Sequence, residues 1–214
     1  MSYMTKLLGD PASVIDSCLQ ADERKGIAAR SLVFIVLGGG VFGAAVGAQR
    51  GGLQIGIAAL KIPLATLLAL AVAGPALHAI AQSFGRRWSL SAALALLLSA
   101  GARASLVLLA LAPVLWLSSD LGLGYSPLRL AAAASYALAG MSAGALLSRA
   151  VGPAPGRRAS LLLGAVVSAV IAAQSAWVLR PYIGDPRDTH APLLAHGRLE
   201  GGVLGALADD LGAR

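Results

Sequence analysis

The chain has 214 residues, a mean hydropathy of +0.75 and 13% charged residues, whereas an average soluble domain carries about 25%. So few polar groups cannot cover a water-facing surface, which predicts an integral membrane protein. The basic residues that give the net charge of +7 lie mostly between apolar runs, as expected for residues that orient a membrane protein. We therefore expect no nucleic-acid partner.

Residues 1–30 form a polar segment that we expect to be cytoplasmic and amphipathic. Asp10 followed by Pro11 is a typical helix start, with Asp as the N-cap and Pro in the first turn. We expect this helix to lie on the membrane surface or to pack under the bundle. Its apolar face comprises Val14, Ile15, Cys18 and Leu19, and its last turn holds Arg24 and Lys25 before a closing Gly26.

Five apolar runs follow, and each has the roughly 20 residues that a membrane crossing requires. The shorter run Leu53–Leu60 is predicted to extend the second helix along the membrane interface. The sequence therefore predicts an all-α integral membrane bundle over residues 31–180, whose five transmembrane helices are Ser31–Gln49, Ile62–Phe84, Ser89–Ser119, Leu128–Ser148 and Ser160–Leu179.

The basic residues between these runs predict the topology. With the N-terminus inside, most of them fall in cytoplasmic segments, as the positive-inside rule requires. Five crossings then place the polar tail 181–214 outside, where Val203, Leu204, Leu207 and Leu211 suggest a short amphipathic helix. We expect a multi-pass protein of the bacterial inner membrane.

Glycines recur every fourth residue in two of the runs, at Gly39, Gly43 and Gly47 and again at Gly140 and Gly144. Such spacing forms a smooth groove that lets a second helix approach closely. The groove predicts helix packing inside the bundle or, alternatively, an oligomer interface.

The stretch "GMSAG", Gly140–Gly144, matches the Gly-x-Ser-x-Gly form of a serine nucleophile. A hydrolase needs that serine on a strained turn beside a base, whereas this one lies in an apolar helical run. His78 is the one candidate base for an intramembrane protease, and one turn away from Gln82 it fits a helix–helix hydrogen bond better. We expect no enzyme, no cofactor and no metal site.

Arg103 lies near the middle of the third run, inside "SAGARAS". Two structures fit it. One is a single tilted crossing with a buried arginine, which would be functional because a charge at that depth is unfavourable. The other is an interfacial helix that ends near Gly101, which would leave Arg103 near the headgroups.

None of the five predicted crossings contains Asp or Glu. The charged groups at depth or at the rims are cations, namely Lys61, Arg103 and Arg180, so anions or anionic lipid headgroups are the expected ligands. Trp177 lies where an interfacial aromatic residue is expected, and Arg180 can reach lipid phosphates from there.

Three motifs resemble an uncharacterised family of bacterial polytopic membrane proteins. They are "GGGVFGAAVGA" in the first crossing, "ALKIPLATLLAL" before and within the second, and "QSAWVLRPYIGDP" at the last. The resemblance implies that Gln174, Trp177 and Arg180 act together with Lys61 at the outer membrane face. The five-crossing layout alone is similar to that of Yip-like proteins.

Two functions are consistent with these observations. The first is a channel- or transporter-like protein with a basic cluster facing anions or lipids. The second is a structural membrane protein that acts through its glycine faces. The expected partners are membrane lipids and either further copies of the chain or another membrane protein.

Overall fold

The structure is a computed structural model that describes residues 2–153 and 156–178, and every regular element in them is a helix. The seven helices are α1 (Tyr3–Gly9), α2 (Pro11–Leu19), α3 (Ala21–Gly47), α4 (Leu53–Ser83), α5 (Leu90–Asp120), α6 (Tyr125–Val151) and α7 (Arg157–Val178).

Four of the described helices, α3 to α6, are long and apolar enough to cross a membrane. They correspond to the first four predicted crossings. The fifth, Ser160–Leu179, corresponds to α7, and its membrane crossing stays a prediction. The predicted boundary at residue 31 falls inside α3, and the tail 181–214 lies outside the described residues.

The N-terminal segment differs from its prediction. Asp10 is the N-cap of α2, accepting from the Ser13 N–H, and Pro11 is its first residue, as expected. The helix nevertheless ends at Leu19 rather than at Gly26, and Leu19 is exposed. A new helix begins at Ala21 and continues through Gly26 into the first apolar run, because acidic residues at 22 and 23 favour a helix N-terminus.

The N-terminal helices pack into the bundle. Leu7 of α1 is fully buried, as are Val14 and Cys18 of α2, and all three belong to one apolar core with residues of α3, α5 and α6. The N-terminal segment was expected either on the membrane surface or packed under the bundle, and the structure shows it packed against the bundle.

Close backbone contact joins α3 to α4. A Cβ added at Gly43 would meet the backbone of Ala58, and one at Gly47 would lie 2.6 Å from the Gln54 carbonyl oxygen. Gly39 faces the same helix less tightly, since an added Cβ would lie 3.4 Å from the Pro63 Cα. The three glycines therefore pack inside the chain, on an antiparallel neighbour.

Helix α4 is continuous from Leu53, so the run Leu53–Leu60 does extend the second helix. It contains two prolines, and Pro63 cannot donate to the carbonyl of Ala59 four residues earlier. That carbonyl faces Gly40, where an added Cβ would lie 3.5 Å from its oxygen. The glycine-rich face of α3 thus accommodates the proline-containing side of α4.

Helix α5 lies between α3 and α6 and is the most buried of the four apolar helices, at 56% of its most apolar window. It runs parallel to α3, because Ser31 pairs with Ser99 and Gly38 lies against Ser105. The helix is unbroken from Leu90 to Asp120, so an interfacial helix ending near Gly101 is wrong.

Helix α6 is the least buried, at 22%, and α7 packs mainly on α4. The antiparallel order of the helices gives the bundle two ends. We call one the arginine end; it carries the turn 84–89, the described residues 152, 153 and 156 between α6 and α7, and the start of α3. The opposite end carries the turns 48–52 and 121–124.

Candidate functional site

Arg103 joins three helices near the middle of α5. Its Nε donates to Ser142 Oγ of α6 at 2.9 Å, and its Nη1 donates to the Leu7 carbonyl of α1 at 3.0 Å. The side chain is half-buried. Of the two structures considered from the sequence, the single continuous helix with a partly buried arginine is therefore present.

The bond to Leu7 explains how α1 ends inside an apolar bundle. The last carbonyls of a helix have no partner within it, and a cation near them also interacts favourably with the helix dipole. Asp10 N–H satisfies the Lys6 carbonyl, and Arg103 satisfies the next one. Arg103 thus caps α1 from a helix almost a hundred residues away.

Four small polar groups meet one turn from this arginine. Tyr3 Oη lies 2.7 Å from Ser31 Oγ and 3.3 Å from Ser99 Oγ. Cys18 Sγ lies 3.4 Å from Ser99 Oγ, and Ser31 and Ser99 are themselves 3.4 Å apart. We call Tyr3, Cys18, Ser31 and Ser99 the hydroxyl cluster; it joins both N-terminal helices to α3 and α5.

Burial sets the ionisation of the hydroxyl cluster. It raises the pKa of the Cys18 thiol, although the hydrogen bond from Ser99 opposes the shift. It also raises the pKa of the Tyr3 phenol against the hydrogen bonds to Ser31 and Ser99. Both groups are therefore neutral at physiological pH, as a buried thiol and phenol should be.

Lys61 lies on α4, with only 3% of its surface exposed. Gln54, two turns earlier on the same helix, is buried as well. Both lie beside the α3 glycines, since Gly47 contacts Gln54 and Gly43 contacts the turn before Lys61. Lys61 is thus an interior cation and not a rim residue that reaches headgroups.

The predicted outer cluster is only partly described. Gln174 and Trp177 lie on α7, and their side chains are outside the described part of the structure, as is Arg180. Their grouping with Lys61 stays a prediction.

Gly140 and Gly144 occupy a different setting from the α3 glycines. A Cβ added at either would have no described atom within 4 Å. The packing inside the bundle that their spacing predicts is therefore wrong within the described residues. The serine between them, Ser142, lies within α6 and accepts from Arg103.

His78 and Gln82 pair within α4, with His78 Nε2 3.0 Å from Gln82 Nε2. The expected hydrogen bond is therefore made one turn along the same helix rather than between helices. Among the described residues, no group of three His, Cys, Asp or Glu side chains could hold a metal ion.

Sequence reasoning singled out Arg103 and missed its partners. Tyr3, Ser31 and Ser99 lie in or beside apolar runs, where an isolated hydroxyl gives no signal of its own. Ser142 attracted notice for its glycine neighbours and not for its place on the α6 face that meets Arg103. Comparison with protein families, characterised proteins and solved structures found no match to this chain.

Proposed function

We propose that this chain is a channel- or transporter-like protein for anions, held in the bacterial inner membrane by five crossings. The observation that carries the proposal is the sign of the interior charge. Lys61 and Arg103 are the charged residues within the middle of α4 and α5, and no Asp or Glu occurs in the five apolar runs.

The hydrogen-bond partners of Arg103 do not neutralise its positive charge. Among the described residues, its hydrogen-bond partners are a backbone carbonyl and a serine hydroxyl, which are neutral. A half-buried cation solvated in this way attracts an anion, because the low dielectric around it strengthens the interaction.

The two cations lie at similar depths. On α4, which is antiparallel to α3, Pro63 meets Gly39, so Lys61 is level with about residue 41 of α3. On α5, which is parallel to α3, Ser105 meets Gly38, so Arg103 is level with about residue 36. This places them about five residues apart along α3, or roughly 8 Å along the bundle axis. An anion in the middle of the bundle would therefore be attracted by both Lys61 and Arg103.

Anion-dependent stability tests the proposal directly. The purified chain in mild detergent is melted in chloride, nitrate, sulfate or phosphate, with gluconate as the reference at constant ionic strength. We expect at least one anion to raise the melting temperature, because a ligand that binds only the folded state stabilises it. Arg103→Gln should lose this shift.

The matched control is Arg129→Gln, which removes one exposed arginine at the opposite end. It should keep the anion response of the wild type. If no anion stabilises the wild type, or if both variants respond alike, anion binding at the interior cations is rejected. Flux of the stabilising anion into proteoliposomes then separates transport from binding alone.

The proposed topology places the arginine end in the cytoplasm. Cysteine is introduced at Arg87 or at Asp120, both exposed and at opposite ends, in a Cys18→Ala background. In intact cells, an impermeant reagent should label position 120 and should reach position 87 only after permeabilisation. The reverse pattern contradicts the N-inside orientation.

A structural role is the second candidate, because the α6 face with Gly140 and Gly144 is open. Small residues on an open face let another helix approach closely in lipid. Cross-linking at Met141, which is 64% exposed on this face, would detect a second copy there.

A further inference from the structure

Two shallow cavities open at the arginine end. The first has a volume of about 410 Å³ and is lined by Arg86, Arg87, Trp88 and Ser89, together with Gln82 and Gly85. The second, of about 580 Å³, is lined by Arg157 and Arg158 with three small or apolar residues. Neither lining includes a carboxylate.

The two turns that form these cavities touch each other. The Arg86 Nη2 donates to the Gly152 carbonyl at 3.4 Å, and a Cβ added at Gly156 would meet the ring of Phe84. Four arginines, two from the turn 84–89 and two from the start of α7, therefore belong to one surface, which we call the arginine rim: Arg86, Arg87, Arg157 and Arg158.

The arginines of the rim divide into two roles. Arg86 and Arg157 each donate to a carbonyl near the end of α6, those of Gly152 and Ser148, so these side chains are fixed by the fold. Arg87 and Arg158 are exposed beside them. In each neighbouring pair one arginine thus bonds to the end of α6. Arg157 is exposed as well, so three of the four rim arginines face solvent: Arg87, Arg157 and Arg158.

Two further features favour a negative group here. Ser89 is the N-cap of α5, so the positive end of a 31-residue helix adjoins the first cavity. Trp88 is half-buried and packs against the apolar core, while Leu90 just beyond it is 46% exposed. A tryptophan at the junction of apolar and charged surface is typical of the membrane interface.

We propose that the arginine rim binds the phosphate group of an anionic phospholipid. Arg87 and Arg158 bind the phosphate oxygens, since a guanidinium can donate two parallel hydrogen bonds to one phosphate. The acyl chains lie along exposed apolar residues of the two helices that meet this end, α4 and α7, such as Val72, Leu162 and Val166. This site is separate from Lys61 and Arg103. The proposal therefore rests on insertion of the bundle in a membrane and does not require that the chain transports anions.

The shape of the site favours a lipid over free phosphate. The cavities are open, so a small anion would keep most of its water and gain little from exposed arginines. A lipid brings its phosphate to the interface already attached to apolar chains, and burial of those chains adds to the attraction. Charge and apolar surface lie side by side here, and a phospholipid has both.

The experiment measures lipid binding to the full chain in mild detergent by native mass spectrometry. Phosphatidylglycerol and phosphatidylcholine are titrated onto the wild type, Arg87→Gln, Arg158→Gln and the double variant. Each arginine near a membrane surface contributes about a fivefold change in affinity for anionic lipid, so the double variant should bind phosphatidylglycerol roughly 30-fold more weakly. Phosphatidylcholine binding should be equal in all four.

Arg129→Gln is again the matched control, because it removes an exposed arginine from the opposite end. It should bind phosphatidylglycerol like the wild type. The proposal is overturned if the double variant keeps wild-type affinity, or if Arg129→Gln loses as much as Arg87→Gln. It is also overturned if sodium phosphate at the lipid concentration displaces phosphatidylglycerol, since the site would then prefer a free anion.

Discussion

Two faces of this bundle have the same glycine spacing and opposite surroundings. On α3, Gly43 and Gly47 lie against the backbone of α4, whereas on α6, Gly140 and Gly144 meet no described atom. A Gly-x-x-x-Gly pattern thus predicts that a close approach is possible, and other residues decide whether it happens. We call the packed region of α1 to α5 the closed side and the exposed face of α6 the open side.

The difference has a cause that the sequence contains. The buried face of α6 includes Leu128, Ala139 and Leu146. At about 100° per residue, Gly140 and Gly144 lie roughly 100° and 140° around the helix from Ala139. The larger apolar residues direct α6 towards α5, and the glycines then face away. Periodicity of the buried residues was therefore the better guide to packing.

The largest effect that distinguishes the sides is expected for Gly43→Leu. Its side chain would collide with the α4 backbone, which cannot move without separating two helices. We expect a loss of about 3 kcal/mol or more in the free energy of unfolding, seen as a lower melting temperature in detergent. A wild-type melting curve would show that α3 and α4 are not closely packed.

A smaller loss is expected for Tyr3→Phe on the closed side. The change removes a hydroxyl that contacts both Ser31 and Ser99, while the ring keeps its place beside Phe34. Because Ser31 and Ser99 can still pair with each other, the loss should be about 1 kcal/mol. Hydrogen exchange should rise in residues 3–19 and stay unchanged in α6; a uniform rise would contradict local docking.

The pH dependence of stability tests the same region more finely. Burial raises the pKa of the Cys18 thiol, so the folded state keeps its proton at a pH where the unfolded chain has lost it. This contribution is complete below the unfolded pKa of about 8.5 and is lost as pH rises through the folded pKa. Wild type should lose more stability than Cys18→Ala between about pH 8 and pH 10. Equal losses would mean that the thiol is accessible.

The smallest effect is expected on the open side. Gly144→Leu places a side chain where no described atom stands, and leucine is the better helix former. The free energy of unfolding of the monomer should therefore change by less than about 0.5 kcal/mol. Gly144→Leu is therefore the control for Gly43→Leu, because it makes the same substitution on the open side. Loss of an oligomer in Gly144→Leu would instead place a second copy on this face.

The sequence predicted much of the fold, because long apolar runs and a low charge content allow few other structures. It located four helices able to cross a membrane, the Asp10 cap and the continuation of α4 from Leu53. It placed the end of α2 wrongly, because Gly26 looked like a stop and is an ordinary helical residue. Tolerance of one glycine depends on the whole helix and not on the local stretch.

The candidate site was less predictable. Arg103 was conspicuous because a cation in an apolar run is rare, but nothing local to it indicates a carbonyl of α1 or a serine of α6. The hydroxyl cluster likewise unites residues up to 96 positions apart. Such contacts follow from how the helices are arranged in space, which composition and spacing do not determine.

The bond between Arg103 and Leu7 also sets an order of assembly. A ribosome adds about 5–20 residues per second, so the 96 residues that separate the pair take roughly 5 to 20 s to synthesise. During that interval α1 exists without its cap, and Tyr3 exists without Ser99. Helix α1 is therefore made before the other described helices, yet its C-terminal end is capped only once α5 is present.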